Sequence, residues 1–116
     1  KVVRLGMDEE TQGTLTRQGD PLDGTLVNIS AIGSAFICDT PIEPETVIEL
    51  ILTIEGRALP VQTTVVRNRE VEGEDESIMW EHGLTFLNLD RGQTNTITKA
   101  VRQVQLHLLA QQEKKT

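Results

Sequence analysis

Residues 24–39 read GTLVNISAIGSAFICD. Thr25 to Ser30 is a strand candidate and Ser34 to Cys38 is another, so the stretch is two short strands around a tight turn. On a strand, Asn28 and Ser30 are two apart and share one face, while Thr25, Val27 and Ile29 share the other. Inward β-branched residues and outward polar ones describe the wall of a small barrel with a decorated exterior. Gly33 follows in the turn, where a missing side chain allows positive φ and the close approach of another molecule. Asn28 offers amide donors and an acceptor, Ser30 a hydroxyl, and the turn free backbone N–H groups. That set can read the edge of a flat heterocycle. Read from the residues alone, it more readily does no more than cap a tight turn.

Upstream, Val2 to Met7 is a strand candidate weakened by Gly6, and Thr11 to Arg17 is a poor one. Gly19-Asp20-Pro21 and Asp23-Gly24 are turn signals. Downstream, Pro41 and Pro44 break the chain. Val47 to Ile54 is the strongest strand, with Ile48, Leu50, Leu52 and Ile54 on one face. Gly56 closes it, and Ala58 to Arg69 follows, rich in β-branched residues. Glu70 to Glu76 carries five acids and no base and reads as a solvated hairpin loop. Ser77 to Leu87 is the last strand, with Gly83 as its bulge.

After Leu89 the period changes. Ile97, Ala100, Val101, Val104, Leu108 and Leu109 are spaced for one helix face, with Asp90 or Thr94 as the cap and Lys114 and Lys115 at the end, where cations suit the macrodipole. The chain therefore divides into a β region, 1–89, and a C-terminal helix, 90–116, packed on the β region or on a partner. The 4-3-4 spacing of Ile97, Val101, Val104 and Leu108 would also suit the seam of a homodimer.

The length, 116 residues, is that of one domain with one core. At 37% hydrophobic and 25% charged, the chain is globular rather than disordered. No apolar run approaches the roughly 18 residues a membrane span needs. The formal charge is −7, and a pI near 4.7 argues against DNA or RNA as a partner. Residues 1–89 hold six basic and sixteen acidic side chains, a net of −10, and the rest a net of +3. A lone cysteine, Cys38, forms no internal disulfide, and with no signal peptide in view the cytoplasm is the expected compartment. The first residue is Lys1 rather than Met, which is compatible with a piece cut from a longer protein.

Little in the sequence is catalytic. His82 and His107 lie in different elements, and neither has a His or Cys partner at metal-ligand spacing. Cys38 has no flanking base and reads as a small buried hydrophobe. Nucleophile elbow, P-loop and dinucleotide fingerprint are all missing, so the expectation is a binding module and not an enzyme, with neither metal nor cofactor.

Asn28-Ile29-Ser30-Ala31-Ile32-Gly33 matches the (Asp/Asn)-x-Ser-x-x-Gly signature of PilZ domains. The order of the downstream elements is similar too: a strand of small and apolar residues, a Pro-bearing loop, the Val47–Ile54 and Val61–Arg69 strands, and Gly83-Leu84-Thr85-Phe86, which resembles the family's closing Gly-x-x-Phe strand. The likeness covers residues 13–110. It implies an all-β fold, a six-stranded antiparallel PilZ-type barrel with a C-terminal α-helix, acting in bacterial signalling. It also implies a ligand, cyclic diguanylate (c-di-GMP), with Asn28, Ser30 and Gly33 touching a guanine.

The family's second motif, Arg-x-x-x-Arg, has no match here. Arg4 is followed four residues on by Asp8, and Lys1 by Leu5. The expected phosphate contact is then Arg4 or an arginine upstream of the chain. Arg17, Arg67 and Arg69 are substitutes, though Arg67 and Arg69 read first as an ordinary charged strand end. The function expected is a second-messenger receptor that relays binding to a linked domain or partner protein. The alternative is a PilZ-like interaction module that has lost the nucleotide.

Overall fold

The computed structural model describes residues 2–6 and 10–114, with side chains as far as Gln111. Its strands are Val3–Arg4 (β1), Thr11–Arg17 (β2), Asp20–Pro21 (β3), Gly24–Ile29 (β4), Gly33–Cys38 (β5), Val47–Ile54 (β6), Arg57–Glu72 (β7) and Ile78–Phe86 (β8), followed by one long helix, Arg91–Lys114 (α1). Lys1, Met7, Asp8 and Lys115, which the sequence reading also used, lie outside the described residues.

The eight strands form one antiparallel sheet in the order β1-β4-β5-β8-β7-β6-β2-β3. The expected closed barrel of six strands is thus an open sheet of eight. The two extra strands are two-residue ladders, one on each edge: β1 takes the free edge of β4 and β3 that of β2. The sheet still rolls until β2 and β4 face each other. Gly13 lies so close to Leu26 that a Cβ there would sit 3.0 Å from Cδ2. Side chains meet across this seam, and no backbone ladder joins β2 to β4 among the described residues.

The alternating run of β6 does what its pattern dictates. Ile48, Leu50, Leu52 and Ile54 are buried, and they join Leu15, Leu26, Ile29, Phe36, Val61, Val65, Leu84 and Phe86 in one core. Each such aliphatic side chain contributes about 1.5–3 kcal/mol on leaving water. β2, a poor candidate by composition, is a full strand because Leu15 fills that core and its backbone is laddered to β6 from Thr11 to Thr16. β7 runs past Arg69 to Glu72, into the expected loop. Val71 and Glu72 pair with Met79 and Ile78 of β8, so the acids ride on a two-stranded ribbon. The turn shrinks to Gly73 and a single 3-10 turn, Glu74–Glu76.

Helix α1 starts where Asp90 Oδ1 accepts the Gln93 N–H at 2.7 Å and Gln93 Oε1 accepts the Asp90 N–H at 2.9 Å. This is a reciprocal capping box. Gln93 Nε2 also donates to the Pro60 carbonyl at 3.0 Å, which ties the helix start to β7. Ile97, Ala100, Val101 and Val104 enter the same core as the sheet. Leu106 and Leu109 stay 56% and 54% exposed.

Candidate functional site

The turn between β4 and β5 is a two-residue hairpin loop, Ala31-Ile32. Primed turns that suit such hairpins need positive φ, and neither loop residue adopts it. A side chain closes the turn instead. Ser30 Oγ accepts the N–H groups of Ile32 and Gly33 at 3.3 and 3.2 Å and donates to the Gly33 carbonyl at 3.2 Å. The Ser30 N–H donates to that same carbonyl at 2.8 Å. Ser30 is buried, so of the two roles its sequence left open, turn capping is the one its hydroxyl performs here.

Gly33 departs from expectation in a related way. Its φ is not positive, and the close approach comes from within the protein. A Cβ built on it would collide with the Leu84 carbonyl oxygen of β8. The glycine lets β5 and β8 pair closely, and it fixes the turn against β8, where the Phe86 N–H donates to the Ile32 carbonyl at 2.9 Å.

The expected faces of β4 are also revised. Leu26 pairs with Phe36, but the next pair is Asn28 with Ala35, so Val27 is an extra residue, a β-bulge. It shifts the alternation by one. Thr25 is exposed, Leu26 and Ile29 point to the core, and Asn28 turns outward and is half-buried. Without the bulge, Asn28 would share the face of Leu26. Across the outer edge, Arg4 of β1 stands directly opposite Asn28. Opposed residues hold their Cβ atoms about 4.5–5.5 Å apart, so the guanidinium and the amide can address one ligand. Neither side chain has an ion pair or hydrogen bond among the described residues.

Gly83 was expected to be a bulge in β8. The bulge lies opposite, at Val66 of β7, where Val65 pairs with Leu84 and Arg67 with Gly83. Arg67 and Arg69 both face outward. Arg69 is engaged: its Nη2 and Nε reach Glu81 Oε2 at 2.6 and 3.1 Å. Arg67 is exposed and has no ion pair among the described residues. A sequence signal for Arg67 existed in retrospect. Val65-Val66 breaks the alternation of β7, and two adjacent valines followed by an arginine suit an extra residue there.

Sequence reasoning also kept Cys38 and His82 apart, but the pairing of β5 with β8 brings them to 3.8 Å. Both are fully buried. The Ile42 N–H donates to His82 Nε2 at 2.9 Å, so Nδ1 bears the proton and faces the Phe36 carbonyl at 3.3 Å. Asn68 Nδ2 donates to the Ile42 carbonyl at 2.8 Å. Two side chains thus hold the backbone of Ile42, whose own side chain plugs the core. Burial pushes the His82 pKa down, against the opposing bond to Phe36, and pushes the Cys38 thiol up. A thiol held protonated and sealed from solvent is a packing group, not a nucleophile. Among the described residues, no group of three or more His, Cys, Asp or Glu converges on a metal position. No helix among them is long and apolar enough to cross a membrane.

A family model described as PilZ domain matches residues 3–103. No curated protein sequence matches. Among solved structures, the K. pneumonia MrkH–c-di-GMP complex aligns with a TM-score of 0.72 at 14% identity, over 100% of this chain and 54% of that one. The PilZ domain of YcgR from Escherichia coli, solved with c-di-GMP, gives 0.74 at 10% identity, over 98% and 95%. The uncharacterized Legionella protein Lpg0364 gives 0.54 at 18%, over 98% and 99%. At these identities the likeness is one of fold. The chain spans about half the length of MrkH.

Proposed function

The chain belongs to the PilZ domain family, and from that premise we propose that its outer face around Asn28 binds c-di-GMP and passes the signal to a linked domain or partner in the cytoplasm. The observation that carries this reading is the register that sets Arg4 opposite Asn28, both facing outward and neither holding an ion pair or hydrogen bond among the described residues. The amide pairs with a guanine edge, since it carries donors and an acceptor side by side. The guanidinium, planar and forked, matches either a phosphate or the O6/N7 edge of guanine. Ser30 and Gly33 act at one remove: they build the turn that fixes the end of β4 and present its exposed Ala31-Ile32 tip. The module works by binding alone, without catalysis or cofactor. Two relatives solved with c-di-GMP share the fold, which supports the ligand class.

A specific observation also favours the alternative of an interaction module. The Ser30 hydroxyl is spent inside the turn, and the β region carries a net −10, which disfavours a dianion at long range. Calorimetric titration of this chain with c-di-GMP separates the two. A Kd in the micromolar range, about −8 kcal/mol, that weakens in Asn28→Ala and Arg4→Ala supports the receptor. Absence of heat at millimolar ligand refutes it and leaves the interaction module.

A further inference from the structure

The two bulges lie in the same row of the sheet. Val27 is the extra residue before Asn28, and Val66 is the extra residue before Arg67. Successive pairings run Arg4 to Asn28, Asn28 to Ala35, Ala35 to Gly83 and Gly83 to Arg67. Five strands thereby contribute one row on the face away from the core, about 19 Å along the sheet at a spacing of about 4.8 Å per strand, with Ala35 and Gly83 in its middle buried beneath their neighbours. Its two ends are arginines, its floor is alanine and glycine, and an amide stands between.

Each bulge re-aims one polar side chain from the core face to this row. Bulges at unrelated positions would have done neither. The stem of Arg67 lies over Gly83: a Cβ there would sit 3.1 Å from Arg67 Cγ and 3.2 Å from Nε. A Cβ at position 83 would make the arginine stem give way by a few tenths of an ångström. In the next row, Arg69 is neutralised by Glu81, so Arg67 is the cation left to serve a ligand on this side.

We propose that Arg67 is a second ligand-binding residue, meeting a cyclic purine dinucleotide from the side of Asn28 opposite to Arg4. The proposal rests on the reading that the outer face at Asn28 takes such a ligand. The ligand carries two phosphodiesters and two purines around one ring, so one arginine at one end leaves half of it without a cation. Arg4 is the sole arginine in residues 1–16. Arg67 supplies a second forked donor, which binds phosphate or the O6/N7 edge in bidentate fashion.

The test is titration of the 116-residue chain with c-di-GMP at several salt concentrations, for the wild type, Arg67→Ala, Arg67→Lys, Gly83→Ala and Asn28→Ala, with melting temperatures measured without ligand. Arg67→Ala is expected to raise Kd about ten- to hundredfold. If Arg67 meets phosphate, that variant also lowers the slope of log Kd against log salt by about one. Its melting temperature should stay at the wild-type value, because an exposed, unpaired side chain is lost. Arg67→Lys should keep the salt slope and lose affinity several-fold. Gly83→Ala should weaken binding by crowding Arg67. Wild-type affinity and salt slope in Arg67→Ala, with binding lost in Asn28→Ala, would overturn the role of Arg67 and leave the site intact. A fall in melting temperature in Arg67→Ala, with Gly83→Ala binding normally, would make the stem a cover for the sheet and also overturn it. A wild type that binds nothing removes the site and the proposal together.

Discussion

Replacing Ser30 with alanine removes a hydroxyl that holds three hydrogen bonds of the β4–β5 turn. At 3.2–3.3 Å they are long, and each belongs at the lower end of the net range of about 0.5–1.5 kcal/mol. The Ile32 N–H is part-buried and can recruit water, whereas the bonds to Gly33 are buried and cannot. The backbone bond from Ser30 to the Gly33 carbonyl survives the substitution. The expected loss is therefore about 1–2 kcal/mol, or roughly 4–8 °C in melting temperature for a domain of this size. A thermal melt followed by circular dichroism, without nucleotide, measures it. Ser30→Thr, which keeps a hydroxyl, should recover part of the loss. An unchanged melting temperature in Ser30→Ala would refute turn capping and return Ser30 to the ligand.

The hydroxyl of Ser34 is buried without a partner among the described residues, so Ser34→Ala should raise stability by up to about 1 kcal/mol; a denaturant titration showing a loss would mean that the hydroxyl is bonded after all. His82 is held neutral by burial, while in the unfolded chain it titrates near its ordinary value of about 6.5. The unfolded state then binds the extra proton as pH drops below 6.5, so the His82 contribution is full above that pH and is lost below it. Melting temperatures between pH 7.5 and 5 should fall, and His82→Gln, whose Oε1 can accept the Ile42 N–H, should flatten the curve; an identical curve in that variant would disprove the role of His82. Asp90→Ala removes half of the capping box and should cost about 1 kcal/mol, seen as a lower midpoint in urea.

How far the sequence revealed the fold varies from element to element, for physical reasons. β6 was readable to the residue because one face is core and the other solvent, so the period-two pattern is clean. The helix start was readable because Asp90 is a strong capping residue. β2 was obscured because Thr, Gln and Gly dominate it, and its strand character comes from the ladder to β6 rather than from its own residues. The site was legible in its residue types but not in its geometry. Asn28 and Arg4 were named from the sequence, yet their opposition depends on a two-residue ladder that no periodicity announces. The face of Asn28 depends on a bulge, which breaks the very rule used to assign faces. Ser30 and Gly33 build the turn in this structure, one of the two readings the sequence left open, since a hydroxyl and a missing Cβ serve a turn or a ligand alike in a sequence.

The extra residue at Val66 makes β7 a matter of parity. Were the strand to pair residue for residue with β8 beyond Val65, Val66 would take the place opposite Gly83 and every side chain after it would change sides. Arg67 would point to the interior, where an unpaired charge is costly. Asn68, now inward and donating to the Ile42 carbonyl, would move to solvent and release one of the two holds on Ile42. Flattening the bulge with its residue retained would thus act as two distant lesions at once, stripping a cation from the surface and loosening the plug in the core. Deleting Val66 should do neither, because Arg67 would then follow Val65 directly and keep its place opposite Gly83, with Asn68 still opposite His82. What counts at this point of the chain is the partner Arg67 keeps, not the residue that bulges before it.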